Sequence, residues 1–293
     1  MFQRSVRVIR IFIRNIGRAR TTATVVVVPG DAMRINLKMS RPWEFKPGQH
    51  LYLYIPSVSL WMSHPFSVAW SEAEDRLTDE KGLVMSQPDI TAMKTTTMSL
   101  LVRRRTGFTD SLYQRALDSP NGNITLRALV EGPYGNIHSC DSYGTVLLFA
   151  GGVGISHQVP YVRHLIAGYA NGTVATRRVT LVWILQSPEH LEWIRPWMTA
   201  VLGMEQRREI LRIMLFITRP RNTKEIHSPS ATVQMYPGRP NIDTLIDMEI
   251  ERQIGAMGVM VCGTGSLSDD VRRACRKRQT TSSIDFLEES FSW

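Results

Sequence analysis

The sequence predicts an α+β chain of two domains, an antiparallel β-barrel followed by an α/β domain with a doubly wound parallel sheet. Its 293 residues leave room for two hydrophobic cores. In the first half, short strands with alternating apolar residues lie between Gly and Pro turns, and from about residue 143 fully apolar strands alternate with helical stretches. We therefore predict a basic segment at 1–20, the barrel at 21–140 and the α/β domain at 144–293.

Six strands are expected in the barrel, because six runs are either rich in β-branched residues or alternate between apolar and polar residues. They are 24–28, 33–39, 49–55, 66–70, 98–103 and 123–130. Residues 72–96 are polar and poorly patterned, which favours an insertion between two strands.

The α/β domain is expected to contain five parallel strands joined by four helices. The strands are apolar throughout, which is typical of a sheet that is covered on both faces. They are 145–150, 178–186, 211–218, 257–262 and 283–287, and the helices are 156–170, 189–201, 241–253 and 266–278.

Composition argues against several classes of protein. The three cysteines lie far apart without a CxxC pair, which disfavours a disulfide-stapled secreted protein and favours a reducing compartment. The seven histidines are equally scattered, so no metal site is expected. The formal charge of +9 does not indicate a nucleic-acid partner, because six arginines lie within the first twenty residues, where there is no acid.

The basic segment at 1–20 has two stripes at helical spacing. One is apolar, with Val6, Ile9, Ile13 and Ile16, and the other holds the arginines at 7, 10, 14 and 18. Three interpretations remain open: a helix at an anionic membrane surface, a mitochondrial presequence and a solvated terminal helix. Contact with a membrane surface is favoured. No stretch reaches the ~18–20 apolar residues that a spanning helix needs.

A glycine-rich segment, Gly151-Gly152-Val153-Gly154-Ile155, ends a buried strand and opens a helix. Glycines there let a dinucleotide diphosphate approach the helix N-terminus, where the helix dipole favours negative charge. The segment is not a full GxGxxG, and the acidic ribose ligand expected about twenty residues later is missing, so a simple NAD site is disfavoured. A tight strand–helix turn without a ligand is the alternative.

Two arginines at later strand ends point to a nucleotide with a 2′-phosphate, which needs cations rather than an acid. Arg219 leaves the third strand of the predicted parallel sheet, and Arg239 precedes the next helix. Cations at these places would suit such a phosphate. Ordinary surface arginines are the alternative.

The segment His64-Pro65-Phe66-Ser67 indicates a flavin site at the start of a strand. Pro65 forces His64 into an extended conformation, and strand alternation places Ser67 on the opposite side from Phe66. A hydroxyl on a rigid strand can hydrogen-bond the flavin N5, while Phe66 can lie against the ring system. An ordinary edge strand is the alternative.

Together these motifs resemble the cytosolic dehydrogenase half of the ferric reductase and NADPH oxidase family, a branch of the ferredoxin-NADP reductase superfamily, and fungal metalloreductases in particular. The family's flavin motif is His-Pro-Phe-Ser or His-Pro-Phe-Thr, whereas the wider superfamily has Arg-x-Tyr-Ser, so His64 selects this branch. The resemblance covers nearly the whole chain. It implies FAD in the barrel. Because Arg219 and Arg239 match places where the family grips NADPH, it implies NADPH in preference to NADH in the α/β domain.

Without an arginine at position 64, the phosphate charge of FAD must be met elsewhere in the barrel. Arg103 supplies positive charge, Gly107 lets backbone N–H groups approach an anion, and Thr109 can cap a helix that begins at Asp110. A solvated basic strand end is the alternative. The resemblance favours phosphate contact, because the family places it at the segment that here reads Gly107-Phe108-Thr109.

The resemblance also implies further cofactor and catalytic residues. A predicted type I turn with Gly132 and Pro133 lies beside both cofactors, with a plain turn as the alternative. Cys262 with Gly263 ends the strand next to the nicotinamide C4, with a buried structural cysteine as the alternative. Glu289 and Phe291 match the superfamily's C-terminal Glu-x-aromatic, whose ring shields the flavin. The expected catalytic residues are Ser67, Cys262 and Glu289.

The activity implied is hydride transfer from NADPH to FAD, followed by single-electron transfer to an acceptor. The expected acceptor is a ferric chelate, reached through a haem-bearing membrane domain that is not part of this sequence, so the chain is placed at the cytoplasmic face of a membrane. Alternatives are a free flavin reductase in the cytosol and a superoxide-producing dehydrogenase of the NADPH oxidase type. Of a different class are a non-catalytic flavin-binding protein and a membrane-targeted interaction protein.

Overall fold

The structure is a computed structural model. It describes residues 9, 11–17, 19–41, 43–60, 62–75, 94–135, 138–220, 222 and 226–289. The chain divides into two compact units, Met1–Asn136 and Ile137–Trp293. Within the described ranges, no helix is both long enough and apolar enough to cross a membrane.

The first unit contains two antiparallel sheets. Its strands are β1 Thr22–Val28, β2 Ala32–Lys38, β3 His50–Tyr54, β4 His64–Ser67, β5 Trp70–Asp75, β6 Lys94–Arg103, β7 Asn123–Arg127 and β8 Leu129–Tyr134. One sheet has the order β5-β6-β2-β1-β7 and the other the order β4-β3-β8. Helix α1, Phe108–Leu117, follows β6.

One hydrophobic core is shared by both sheets and α1. Alternate residues of a strand face the same side, so each strand contributes every second residue to this core. Fully buried members are Val25, Ile35, Leu37, Leu51, Leu53, Leu100 and, on α1, Leu112 and Ala116. This alternation is the pattern from which the antiparallel domain was predicted.

Two of the predicted strands are each divided in the structure. The run 66–70 is broken between β4 and β5, because the N–H of Val68 bonds to the residue before β3 whereas that of Ala69 bonds to β6. The run 123–130 is broken at Ala128, between β7 and β8. At both places the chain passes from one sheet to the other, a change that apolar alternation does not record.

The expected insertion at 72–96 is wrong at both of its ends. β5 extends to Asp75 and β6 begins at Lys94, and these two residues are paired in register. The β6 end is rich in threonine, which favours a strand without giving an apolar pattern. Residues 76–93 lie outside the described part of the chain.

The second unit is a doubly wound α/β domain, as predicted. Its six strands are β9 Thr145–Gly151, β10 Arg178–Leu185, β11 Leu211–Ile217, β12 Val233–Pro237, β13 Met257–Cys262 and β14 Ile284–Glu288. They are all parallel, in the order β12-β11-β10-β9-β13-β14. The helices are α2 Ile155–Ala170, α3 Arg195–Leu202, α4 Arg207–Ile210, α5 Ile242–Ile250 and α6 Gly265–Arg276.

Two elements of this unit differ from the prediction. The edge strand β12 was not predicted, because it has only five residues and none of them is fully buried. The helix expected at 189–201 is a 3₁₀ turn, Pro188–Ile194, followed by α3. Pro196 lies in the first turn of α3, a position that starts a new helix and does not continue an old one.

Candidate functional site

The sheet of the second unit reverses its winding at the carboxyl ends of β9 and β13. From β9 the chain adds β10, β11 and β12 on one side, and then returns to add β13 and β14 on the other. Ligands of doubly wound sheets bind outside the strand ends at this switch point. The glycine-rich segment 151–155 ends β9 and Cys262 ends β13, so the structure brings together the two segments predicted to bind a nicotinamide dinucleotide.

These two segments approach each other too closely to admit side chains. A Cβ at Gly154 would overlap the carbonyl oxygen of Cys262 and lie 2.8 Å from its carbonyl carbon. A Cβ at Gly151 would lie 3.2 Å from the Cα of Gly263. Gly154 is therefore required by packing, independently of any ligand, whereas a Cβ at 151 would need its neighbours to shift by a few tenths of an ångström.

Gly152 offers the space that a ligand needs. It has a φ of +52°, and apart from its own atoms and its two chain neighbours no described atom lies within 4 Å of the position that its Cβ would take. The indole N–H of Trp183 donates to its carbonyl oxygen at 2.9 Å and so fixes the loop. Ile155 then begins α2, whose first turn carries no acidic residue. An open glycine before an uncapped helix N-terminus fits a dinucleotide diphosphate.

Arg219 and Arg239 follow neighbouring strands of the same sheet. Arg219 comes two residues after β11, and its N–H donates to the carbonyl of Gln186, beyond β10, at 2.9 Å. Arg239 comes two residues after β12, where Gly238 donates to Ile217 at 2.7 Å. Both side chains are exposed at the carboxyl edge. The position fits a cationic pair for a phosphate at one end of a bound dinucleotide.

Cys262 and Glu289 lie side by side at the end of β13. The N–H of Glu289 donates to Val261 at 3.1 Å and continues the pairing of β14 with β13 by one residue. Burial raises the pKa of the Cys262 thiol to about 12, so the side chain is a neutral thiol that packs and does not attack. Burial also raises the pKa of the Glu289 carboxyl, against the opposing effect of His138. Phe291 lies outside the described residues.

His157 lies next to the candidate dinucleotide loop, and the sequence reasoning did not single it out. It lies in the first turn of α2, is 3% exposed, and its ring centre is 5.4 Å from that of Tyr161. Burial, with a smaller contribution from His138, lowers the pKa of His157 to about 4. Its place three residues after Gly154 was the only available signal, and nothing in the pattern distinguished it from a surface histidine.

In the first unit, β3 joins two of the predicted flavin segments. β4 lies on one side of β3, where Ser67 is opposite His50 and Pro65 is opposite Tyr52. β8 lies on the other side, where Glu131 is also opposite Tyr52. His64–Ser67 and the segment with Gly132 and Pro133 are thus flanking strands of one small sheet. The expected type I turn at 132–133 is wrong, because both residues belong to β8.

A ring contact brings the third predicted flavin segment to the same sheet. The His64 imidazole stacks on Phe108, the first residue of α1, with ring centres 4.4 Å apart and planes inclined by 21°. Burial lowers the pKa of His64, which favours the neutral ring. Its Nε2 is buried and has no hydrogen-bond partner within the described chain. A buried polar atom without a partner is the feature expected where a polar cofactor binds, so the site fits FAD.

The N-terminus of α1 differs from the prediction in one detail. The helix begins at Phe108 rather than Asp110, and the Thr109 hydroxyl accepts from the Arg105 N–H at 2.9 Å, so it does not cap the helix. Gly107 has a φ of +75°. Apart from its chain neighbours, no described atom lies within 4 Å of the position that its Cβ would take. Arg103 ends β6 with an exposed side chain. The uncapped N–H groups beside an open glycine fit a diphosphate.

Glu131 is a second residue that the sequence reasoning did not single out. It is 6% exposed, and its carboxylate accepts from the Tyr54 hydroxyl at 2.8 Å and from the Tyr134 hydroxyl at 2.6 Å. Two phenol donors satisfy a carboxylate whose burial would otherwise be costly. Glu131 therefore ties β3 to β8 beside the candidate flavin strand.

Two family profiles match separate parts of the chain. A profile described as "Ferric reductase NAD binding domain" matches residues 143–276, and one described as "FAD-binding domain" matches residues 18–80. The chain is thus similar to ferric reductases in its second unit and to an FAD-binding domain family in its first. The first unit therefore contains the match to an FAD-binding domain, and the second unit the match to an NAD-binding domain.

Family relatives include fungal membrane proteins. The chain is 29% identical over 172 residues to a "Probable cell surface ferric reductase kap2" of Aspergillus oryzae, with 58% of this chain and 21% of the relative covered. It is 22% identical to a "Probable ferric reductase transmembrane component" of Candida albicans, with 100% of this chain and 44% of the relative covered. The chain therefore spans less than half the length of these two ferric reductases.

Solved structures show the same fold as this chain. A ferredoxin NADP⁺ reductase from Neisseria gonorrhoeae, solved with bound FAD and NADP, matches with a TM-score of 0.57 at 14% identity and covers 92% of this chain and 98% of its own.

Proposed function

We propose that this chain is the dehydrogenase part of a ferric-chelate reductase, which takes a hydride from NADPH and passes single electrons through a haem-bearing membrane domain to ferric iron. One observation carries the proposal. The same chain has an open glycine loop at the switch point of its parallel sheet and, in its other unit, a small sheet on which the buried Nε2 of His64 has no hydrogen-bond partner among the described residues. Family relatives described as transmembrane ferric reductases support the acceptor and a place at the cytoplasmic face of a membrane.

In the second unit, the proposed roles follow the strand ends. Gly152 and the N-terminus of α2 bind the diphosphate of NADPH, since the loop is open there and the helix dipole favours an anion. Arg219 and Arg239 bind the 2′-phosphate. Cys262 packs as a neutral thiol beside the nicotinamide. Glu289 holds a proton on its carboxyl more readily than a solvated glutamate does.

In the first unit, three elements hold FAD. On β4, the Ser67 hydroxyl hydrogen-bonds and orients the isoalloxazine, and the Phe66 ring lies against it. His64 offers its unpartnered Nε2 to a polar group of the cofactor. At α1, the open Gly107 and the uncapped N–H groups bind the diphosphate. When bound, FAD supplies the conversion of a two-electron hydride into single electrons.

The first experiment tests the oxidoreductase itself. The purified chain should be yellow, and NADPH added without oxygen should bleach the flavin absorbance near about 450 nm in a stopped-flow trace. A colourless protein, or a yellow one that NADPH does not bleach, would refute the proposal. Reduction of a ferric chelate in membranes that contain the haem domain, and its loss without that domain, tests the acceptor.

A second experiment tests NADPH against NADH. The double variant Arg219→Ala/Arg239→Ala should lower kcat/KM for NADPH by about tenfold or more, because each arginine contributes a charge-assisted contact to the phosphate, and should leave NADH unaffected. Arg252→Ala is the matched control, since Arg252 is equally exposed but lies beyond α5, away from these strand ends. Equal losses with both nucleotides would contradict the assignment of the 2′-phosphate.

A further inference from the structure

The N-terminal segment is attached to the first unit by a buried asparagine. Residues 11–15 are helical, and Asn15, only 1% exposed, donates from Nδ2 to the carbonyl of Val130 at 2.8 Å. The N–H of Val130 in turn donates to Oδ1 of Asn15 at 2.9 Å. Val130 lies on β8, the edge strand of its sheet. The side chain thus takes the two hydrogen bonds that a neighbouring strand would supply.

A second contact holds the same segment. The Arg14 guanidinium donates to the carbonyl of Gly132, two residues further along β8, and lies over the Trp43 ring at 5.5 Å from its centre. With Asn15 this fixes the helix by its polar side, and it does so on the strand that carries Glu131 and Pro133. The orientation of the helix is therefore set by the candidate flavin sheet.

The apolar side of this helix faces solvent. Four large side chains at spacings of three and four residues, which lie on one helical face, are 50–55% exposed: Ile9, Phe12, Ile13 and Ile16. An amphipathic helix of a globular domain normally turns such a stripe to the core. Here the polarity is reversed, which leaves an apolar surface without a counterpart in the described first unit. We call Ile9, Phe12, Ile13 and Ile16 the outer stripe.

The charge of the N-terminal segment indicates what the outer stripe binds. The first twenty residues contain six arginines and no acid. A second copy of the chain would bring the same positive charges against them, and a protein groove would need to be both apolar and acidic. A bilayer with anionic lipids offers an apolar layer beneath negative headgroups, and arginine stems can lie along apolar surface while their guanidinium groups reach those headgroups.

We propose that the outer stripe rests on an anionic lipid surface, and that Asn15 and Arg14 fix the flavin sheet to that surface through β8. The inference deepens the membrane location of the proposed function and rests on it. Its consequence is that the strand beside the FAD site has a set orientation to the bilayer, and is not linked to it by a flexible tether.

The test is cosedimentation of the full chain with lipid vesicles. We expect binding to phosphatidylcholine vesicles that contain about 30% phosphatidylserine, weaker binding as salt is raised, and little binding to phosphatidylcholine alone. Ile13→Glu should weaken binding by about tenfold or more, because it places a charge in the apolar layer and adds repulsion from the headgroups. Ile254→Glu, at a side chain 49% exposed in the second unit, is the matched control and should bind as the unaltered chain does.

Several outcomes would overturn the inference. They are equal binding by Ile13→Glu and the unaltered chain, equal binding to neutral and anionic vesicles, no binding at all, and a concentration-dependent dimer that Ile13→Glu abolishes. Thermal melting of both variants checks that they are folded before binding is compared. Vesicle binding requires no turnover, so a chain that binds vesicles but is not reduced by NADPH refutes only the proposed function. A chain that is reduced but does not bind refutes only this inference.

Discussion

Replacing Gly154 with alanine tests the packing on which the dinucleotide site depends. Gly154 has a φ of −59° and a ψ of −14°, which alanine adopts without strain, so its backbone conformation gives no reason for glycine. The reason is contact alone. The added Cβ would overlap the carbonyl oxygen of Cys262, and would lie 2.8 Å from its carbonyl carbon and 3.3 Å from its Sγ.

The magnitude follows from what must move. An ordinary contact would require the Cys262 carbonyl to retreat by roughly 1 Å, and that carbonyl belongs to the buried end of β13. Overpacking of this kind costs about 1–3 kcal/mol, and a rigid backbone partner places Gly154→Ala at the upper end. A displacement of this size at a reacting centre lowers rates by about a hundredfold. We expect a loss of about 3 kcal/mol in unfolding free energy and a large loss in the rate of flavin reduction by NADPH.

The assays are urea unfolding and anaerobic stopped-flow reduction by NADPH. Gly203→Ala is the matched control: it has helical angles at the end of α3, its Cβ would lie 3.5 Å from the nearest atoms, and it should be neutral or slightly stabilising. The double variant Gly154→Ala/Cys262→Ala should not recover, because the obstacle is the carbonyl and not the thiol. Equal stability and equal reduction rates for Gly154→Ala and Gly203→Ala would refute the reasoning.

Three further variants test other contacts. Asn15→Ala should lower the unfolding free energy of the first unit by about 2–3 kcal/mol, measured in urea, because both polar groups of Val130 lose their partner. Burial lowers the pKa of His157 from 6.5 in the unfolded chain to about 4 in the folded protein. Because the unfolded chain takes up this proton first, the unfolding free energy should fall by about 3 kcal/mol as the pH drops from 7 to 4. In His157→Gln the fall should be smaller by that contribution, because other buried histidines such as His64 still titrate. Trp183→Phe removes the donor to Gly152 and should cost about 1 kcal/mol, with weaker NADP binding by calorimetry.

The parallel sheet was largely predictable, because its signals are local. Strands β9, β10, β11 and β13 are runs of apolar residues long enough to be recognised without their neighbours, and the glycines at 151–154 stand directly after one of them. The edge strand β12 was missed because it lacks such a local apolar signal. Its residues are only half-buried, and its pairing with β11 supplies the order that its own sequence does not.

The antiparallel unit was less predictable, because its sheets are joined by hydrogen bonds between distant segments. Alternation identified the strands but not the places where the chain changes sheets, such as Val68–Ala69. His64 was assigned to the flavin site by resemblance, yet its stacking on Phe108 depends on two segments that lie far apart in the sequence. The burial of Asn15 in the middle of an apolar and basic segment had no local signal.

What the sequence determined by itself is which residues favour strands, helices and close glycine turns, since these preferences act between near neighbours along the chain. What only the tertiary structure decided is which strand ends lie together and which side of a helix faces solvent. The carbonyl of Cys262 excludes a side chain at Gly154, although more than a hundred residues separate the two in the sequence. The hydrogen bonds of Val130 hold Asn15 inward, and the outer stripe therefore faces solvent. Both results come from packing and hydrogen bonding between distant segments, and such pairs cannot be read from spacing alone.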